Sequence, residues 1–150
     1  MKRKNILAAF AALALCASVA SCTDGDVTKP VINLIEPEEG QLIQIGSDHG
    51  MHFEMDLEDN EALGSYKIDI HNNFDNHGHG KDSTEPFTFS QTYDLNHQRN
   101  AHIHHHDVVI PSNATPGNYH LMVYCTDEAG NEAYLARNIV LSLDAPEDED

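Results

Sequence analysis

Between residues 31 and 143 the apolar side chains recur every second residue, and no stretch there repeats at the 3.6-residue period of a helix. Met51, Phe53, Met55 and Leu57 alternate with His52, Glu54, Asp56 and Glu58. Tyr66, Ile68 and Ile70 alternate with Lys67, Asp69 and His71, and Tyr119, Leu121, Val123 and Cys125 with His120, Met122 and Tyr124. Successive side chains of a strand point to opposite faces, so each run is a strand with one face inward. Further strands are expected at 31–35, 42–45, 87–93, in the stretch ending Val108-Val109-Ile110-Pro111, and at 134–143. Turn chemistry separates them at Glu38-Glu39-Gly40, Asp59-Asn60, Pro116-Gly117-Asn118 and Asp127-Glu128-Ala129-Gly130-Asn131.

Seven to eight short strands in about 115 residues predict an all-β chain folded as an immunoglobulin-like β-sandwich. The segment PGNYHLMVYCTDEAGN (116–131) resembles the last hairpin of many bacterial immunoglobulin-like modules. The resemblance implies a buried corner tyrosine at Tyr119, with its hydroxyl on backbone. Gly130 is expected to supply the positive φ of the turn. Cys125 falls at an inward position and reads as a small buried apolar group.

The first residues read as an address and not as part of that fold. Met1-Lys2-Arg3-Lys4 is basic, and the apolar run from Ile6 to Val19 is short for a bilayer span. It ends in Val19-Ala20-Ser21-Cys22, which resembles the lipobox of bacterial lipoproteins. That resemblance implies a signal peptide over 1–21, lipidation of Cys22, and a tether over 22–29. The domain is then expected at 30–143, with an acidic tail at 144–150. The implied location is the outer membrane, at the cell surface or the periplasmic face, with the membrane itself a partner through the lipid. Cys16 would leave with the signal and Cys22 would be acylated, so Cys125 has no disulfide partner.

Residues 1–21 hold three of the eight Lys and Arg and none of the 25 Asp and Glu, so their removal takes the formal charge from −17 to −20. Such a surface repels phosphate backbones, which argues against nucleic acid as a partner, and it attracts cations.

Eleven histidines follow the signal segment, and eight of them lie between His71 and His106. Neutral imidazole is a common ligand of divalent transition metals. His71 ends one outward row and His120 begins another; in an immunoglobulin-like sandwich those strands are antiparallel neighbours, which puts the two rings side by side. The following loop carries Asp75, His77 and His79 among glycines. Three histidines and a carboxylate would complete a zinc-type site.

The second group is AHIHHHD (101–107). His102, His104 and His106 share one face of an extended chain, yet Val108 and Ile110 continue the parity of His106. Either the strand bulges near Asp107 or the histidines project beyond the core edge; the sequence leaves this open, and with it whether the two groups join. His49, His52 and His97 read as incidental. At the other end of the sandwich, Glu58, Asp59, Asn60 and Glu61 come near Asp127, Glu128 and Asn131. Turn chemistry accounts for these residues first, and an oxygen-only calcium site second.

LGSYKIDIHNNFDNHGHGK (63–81), with YHLMVYCTDEAGN later, resembles the Bacteroidota lipoproteins grouped as domain of unknown function 4625. The resemblance implies an exported immunoglobulin-like lipoprotein and no particular activity. From the histidines comes the leading expectation, capture of a divalent transition metal, Zn²⁺ by preference, for buffering or handover to an outer-membrane transporter. The metal residues are then His71, Asp75, His77, His79, His102, His104, His106 and His120. The competing expectation is a surface adhesin or glycan-uptake accessory protein with incidental histidines. An enzyme is not expected, because no motif sets a general base beside the histidines on a rigid element.

Overall fold

The computed structural model describes residues 25–73 and 84–146. Over those residues the chain is all-β, with eight strands: β1 (Val31–Glu36), β2 (Gln41–Gln44), β3 (Met51–Glu58), β4 (Leu63–Asn72), β5 (Phe89–Asp94), β6 (Asn100–Val108), β7 (Gly117–Asp127) and β8 (Glu132–Ser142). One sheet has the order β1-β3-β6, and the other has the order β2-β8-β7-β4-β5. All neighbours are antiparallel except β2 and β8. This is the immunoglobulin-like sandwich that the alternation predicts. The segment expected to be a signal peptide, Cys22, Asp75, His77 and His79 lie outside the described residues.

The inward rows meet between the sheets. Phe53, Met55 and Leu57 from β3 face Ile68, Ile70, Leu121, Val123 and Cys125, all essentially inaccessible. Each large apolar side chain so buried contributes on the order of 1.5–3 kcal/mol relative to exposure. Cys125 is free. Burial pushes its thiol up to about 12, with the Asp59 and Asp127 charges adding to the shift, so it stays protonated and unreactive. Tyr119 is the corner tyrosine: its hydroxyl donates to the Thr115 carbonyl at 2.8 Å and accepts the Phe87 N–H at 3.1 Å. Gly130 adopts φ +92° in the turn between β7 and β8.

Several strand bounds shift by one to three residues from the sequence reading, and two of the shifts have a visible local cause. Phe87 lies before β5, with its N–H held by Tyr119 and not by a neighbouring strand. At the other boundary β6 stops at Val108, short of Ile110. Beyond Val108 the Val109 N–H turns back to the Asp107 carbonyl, while the Ile110 carbonyl accepts Gly46 N–H from the loop after β2.

The parity conflict in β6 is resolved by a bulge. Met51 pairs with Val108 and Phe53 with His105, so His106 and Asp107 together stand opposite the single residue His52. The extra residue resets the alternation. Ala101, Ile103 and His105 face inward before the bulge and Val108 after it, which leaves His102, His104 and His106 outward.

Candidate metal centre

On β3 the outward positions are His52, Glu54 and Asp56, and on the adjoining β6 they are His102, His104 and His106. The register sets Glu54 across from His104 and Asp56 across from His102. Cross-strand neighbours on one face lie within side-chain reach, so these six groups form two touching rows. At one end of the rows three imidazoles converge. Ring centroids are 4.8 Å apart for His52–His104, 5.1 Å for His52–His106 and 5.6 Å for His104–His106. One ring nitrogen from each lies within 4.8 Å of the others, a spacing that could hold a metal ion. Tetrahedral zinc with Zn–N near 2.05 Å needs nitrogens roughly 3.4 Å apart. Small side-chain rotations close that difference on exposed and half-exposed rings.

Glu54 lies between the trio and the next histidine. Its Oε2 is 3.8 Å from His52 Nε2, and its Oε1 is 3.8 Å from His102 Nε2. The carboxylate is thus placed to orient His52 or to approach an ion held beside it. His102 stands outside the trio, with Nδ1 2.8 Å from Asp56 Oδ1. The Asp56 hydrogen bond, with the Asp56 and Glu54 charges, raises the pKa of His102 and favours an imidazolium at the end of the row.

His71 and His120 are directly paired across β4 and β7, with ring centroids 5.6 Å apart and edge to face. They occupy the outer face of the five-stranded sheet, on the opposite side of the sandwich from the trio. His71 Nδ1 contacts Asp69 Oδ1 at 3.2 Å. His97 pairs with Glu128 at 2.8 Å. His52, read from the sequence as incidental, is the residue that joins His104 and His106 into a cluster.

His105 points the other way, into an aromatic stack. Its ring lies 5.1 Å from Phe53 and 5.2 Å from Tyr93, and Tyr66 is 6.4 Å away. Nδ1 accepts the Asp107 N–H at 3.3 Å, so the neutral ring carries its proton on Nε2, which is buried without a partner among the described residues. Burial lowers the pKa of His105, and the neighbouring His106 and His104 add to the effect against the pull of Asp107. The folded state therefore resists protonation that the unfolded chain accepts. The stability tied to neutral His105 is present above the unfolded value of about 6.5 and is lost as pH falls towards the folded value. Urea midpoints in chelator should drop more between pH 7.5 and 5 for the wild type than for His105→Phe. Parallel pH profiles would show that His105 does not carry acid sensitivity.

Fold and site together define an immunoglobulin-like β-sandwich with an imidazole cluster on one outer face. By sequence the chain belongs to the family described as domain of unknown function 4625, which matches residues 16–142. No match is found among curated proteins.

Proposed function

We propose that this protein is an exported lipoprotein that binds a divalent transition metal, Zn²⁺ by preference, through His52, His104 and His106. The observation that supports it most is the convergence of three imidazole nitrogens from two adjacent strands within 4.8 Å. Three nitrogen ligands suit Zn²⁺ and its neighbours better than Ca²⁺ or Mg²⁺, which prefer oxygen. A fourth position falls to water or to the nearby Glu54. The ligands sit on an open sheet face and not in a closed cage. An ion held there exchanges with solvent, which fits buffering or handover to a transporter better than a structural role. The formal charge of −17 draws cations towards the surface. Lipidation at Cys22 would hold the domain at the outer membrane, and the role requires no catalysis.

Isothermal titration of Zn²⁺ into protein purified without a histidine tag tests this reading. Saturable binding is expected at pH 7.5 and much weaker binding at pH 5.5, because protons compete for the same nitrogens. Losing an outer-shell partner costs about 10–100-fold in metal affinity. His52→Ala removes a direct ligand and should reach at least the upper figure, while His102→Ala should bind as the wild type does. Absence of saturable binding at pH 7.5 defeats the proposal. Binding that survives His52→Ala but vanishes in His120→Ala would move the site to the other sheet.

A further inference from the structure

About seven residues along β3 from His52, roughly 23 Å at strand rise, a second group of ligand atoms converges. Asp59 lies in the turn after β3, Asp127 ends β7, and Asp26 precedes β1; each offers a carboxylate oxygen within 4.8 Å of the other two. Asp127 is only 5% exposed. Asp26 Oδ2 and Asp59 Oδ1 are shut off from solvent, and neither has a hydrogen-bond partner among the described residues. The other oxygens are occupied. Asp59 Oδ2 accepts Glu61 and Ala62 N–H, Asp26 Oδ1 accepts Thr28 N–H and the Asn60 amide, and Asp127 accepts both Asn131 donors. Those bonds leave one buried oxygen of Asp26 and one of Asp59 with nothing to accept.

Among the described residues none of the ion pairs formed by Lys, Arg or His involves these three carboxylates. Leaving a buried oxygen without a donor is costly, the more so when it is charged. Three carboxylates gathered in this way repel one another unless a cation lies between them. Turn chemistry explains why each aspartate is where it is; it does not explain the two buried oxygens.

We propose that Asp26, Asp59 and Asp127 form a calcium site that clamps the segment before β1 to the β3–β4 and β7–β8 turns. All-oxygen ligands select a hard cation over zinc. Two oxygens on one Ca²⁺ at about 2.4 Å can be no more than about 4.8 Å apart, and one oxygen from each of the three carboxylates lies within that distance of the others. A cleft bordered by Gly25, Thr28, Asn60, Glu61 and Glu128 opens beside Asp26, and waters held there would complete the six to eight ligands that calcium takes. Asn131 already ties the Asp26 carbonyl to the β7–β8 turn at 3.0 Å, and the ion completes that junction. Its consequence is a fixed path for residues 25–30 against the two turns.

Thermal unfolding of the protein carrying His52→Ala and His104→Ala isolates this site from the histidine cluster. Extracellular calcium modules bind with Kd of about 0.1–1 mM. With 5 mM CaCl₂ against EGTA, the folding equilibrium should then shift by roughly 5–50-fold, raising Tm by about 3–10 °C. Magnesium at the same concentration should do much less, since it demands a tighter octahedron. Asp26→Asn lies outside the strands and keeps a carbonyl oxygen for the Thr28 N–H and the Asn60 amide: it should abolish the calcium increment and change the calcium-free Tm little. An equal Tm in calcium and EGTA overturns the proposal. So does an equal effect of magnesium, which means charge screening only, and so does a calcium increment that persists in Asp26→Asn.

Discussion

Gly50→Ala should cost about 2–5 kcal/mol of folding stability and should weaken zinc binding in what remains folded. Gly50 has φ +78°, where a residue with a Cβ pays about 1–2 kcal/mol. A Cβ there would fall 2.1 Å from the His106 carbonyl oxygen, 3.1 Å from its carbon and 3.3 Å from the Val108 oxygen. All three are backbone atoms, so no side chain can swing away; the bulge itself must move, and overpacking typically adds about 1–3 kcal/mol. The bulge is what turns His106 outward beside His52 and His104, so the same displacement spreads the ligand triangle. Gly40→Ala is the matched control. Its φ is +77°, but nothing lies within 4 Å of its added Cβ, so it should show only the conformational part. Urea midpoints of the two variants, with zinc titrations on each, give the comparison. Equal losses at both positions would mean that the close approach to His106 is not what Gly50 secures.

The alternation made the sandwich legible because solvent and core lie on opposite faces of each strand, and period two records that directly. The pairing of His71 with His120 followed from the same logic applied to neighbouring strands. The trio was missed for a local reason. A single histidine in MHFEMDLE (51–58) looks like any solvated residue on the outer face. The signal lay in topology: the strand of His52 adjoins the strand of His102, His104 and His106, so His52 shares their face once the bulge is placed. The bulge was only half legible. Parity showed that something must give near Asp107, and only the backbone shows that two residues there oppose one. Asp26 escaped notice because it precedes the first strand in a polar stretch, and its two ties to the body come from side chains far along the chain, Asn60 and Asn131. Asp59 and Asp127 were visible as turn residues, but short-range turn rules carry no sign that a third carboxylate meets them.

Phe53→Ala should lower stability by about 3–5 kcal/mol and leave zinc affinity close to that of the wild type wherever the variant is folded. Phe53 is fully buried, with its ring stacked on His105 at 5.1 Å and an interplanar angle of 17°. Truncation removes that stack and opens a cavity in the narrow space between the sheets, which the rigid backbones can only partly close. Its neighbour His52 points to the other face, so the loss is felt in the core and not among the ligands. His52→Ala should do the reverse: an outer-face change costs within about 0.5 kcal/mol, yet it removes a ligand. Denaturant midpoints and zinc titrations on both variants should therefore dissociate in opposite directions. If Phe53→Ala, measured well below its own Tm, lost as much zinc affinity as His52→Ala, the geometry of the trio would depend on core packing and not on the strand register and bulge argued above.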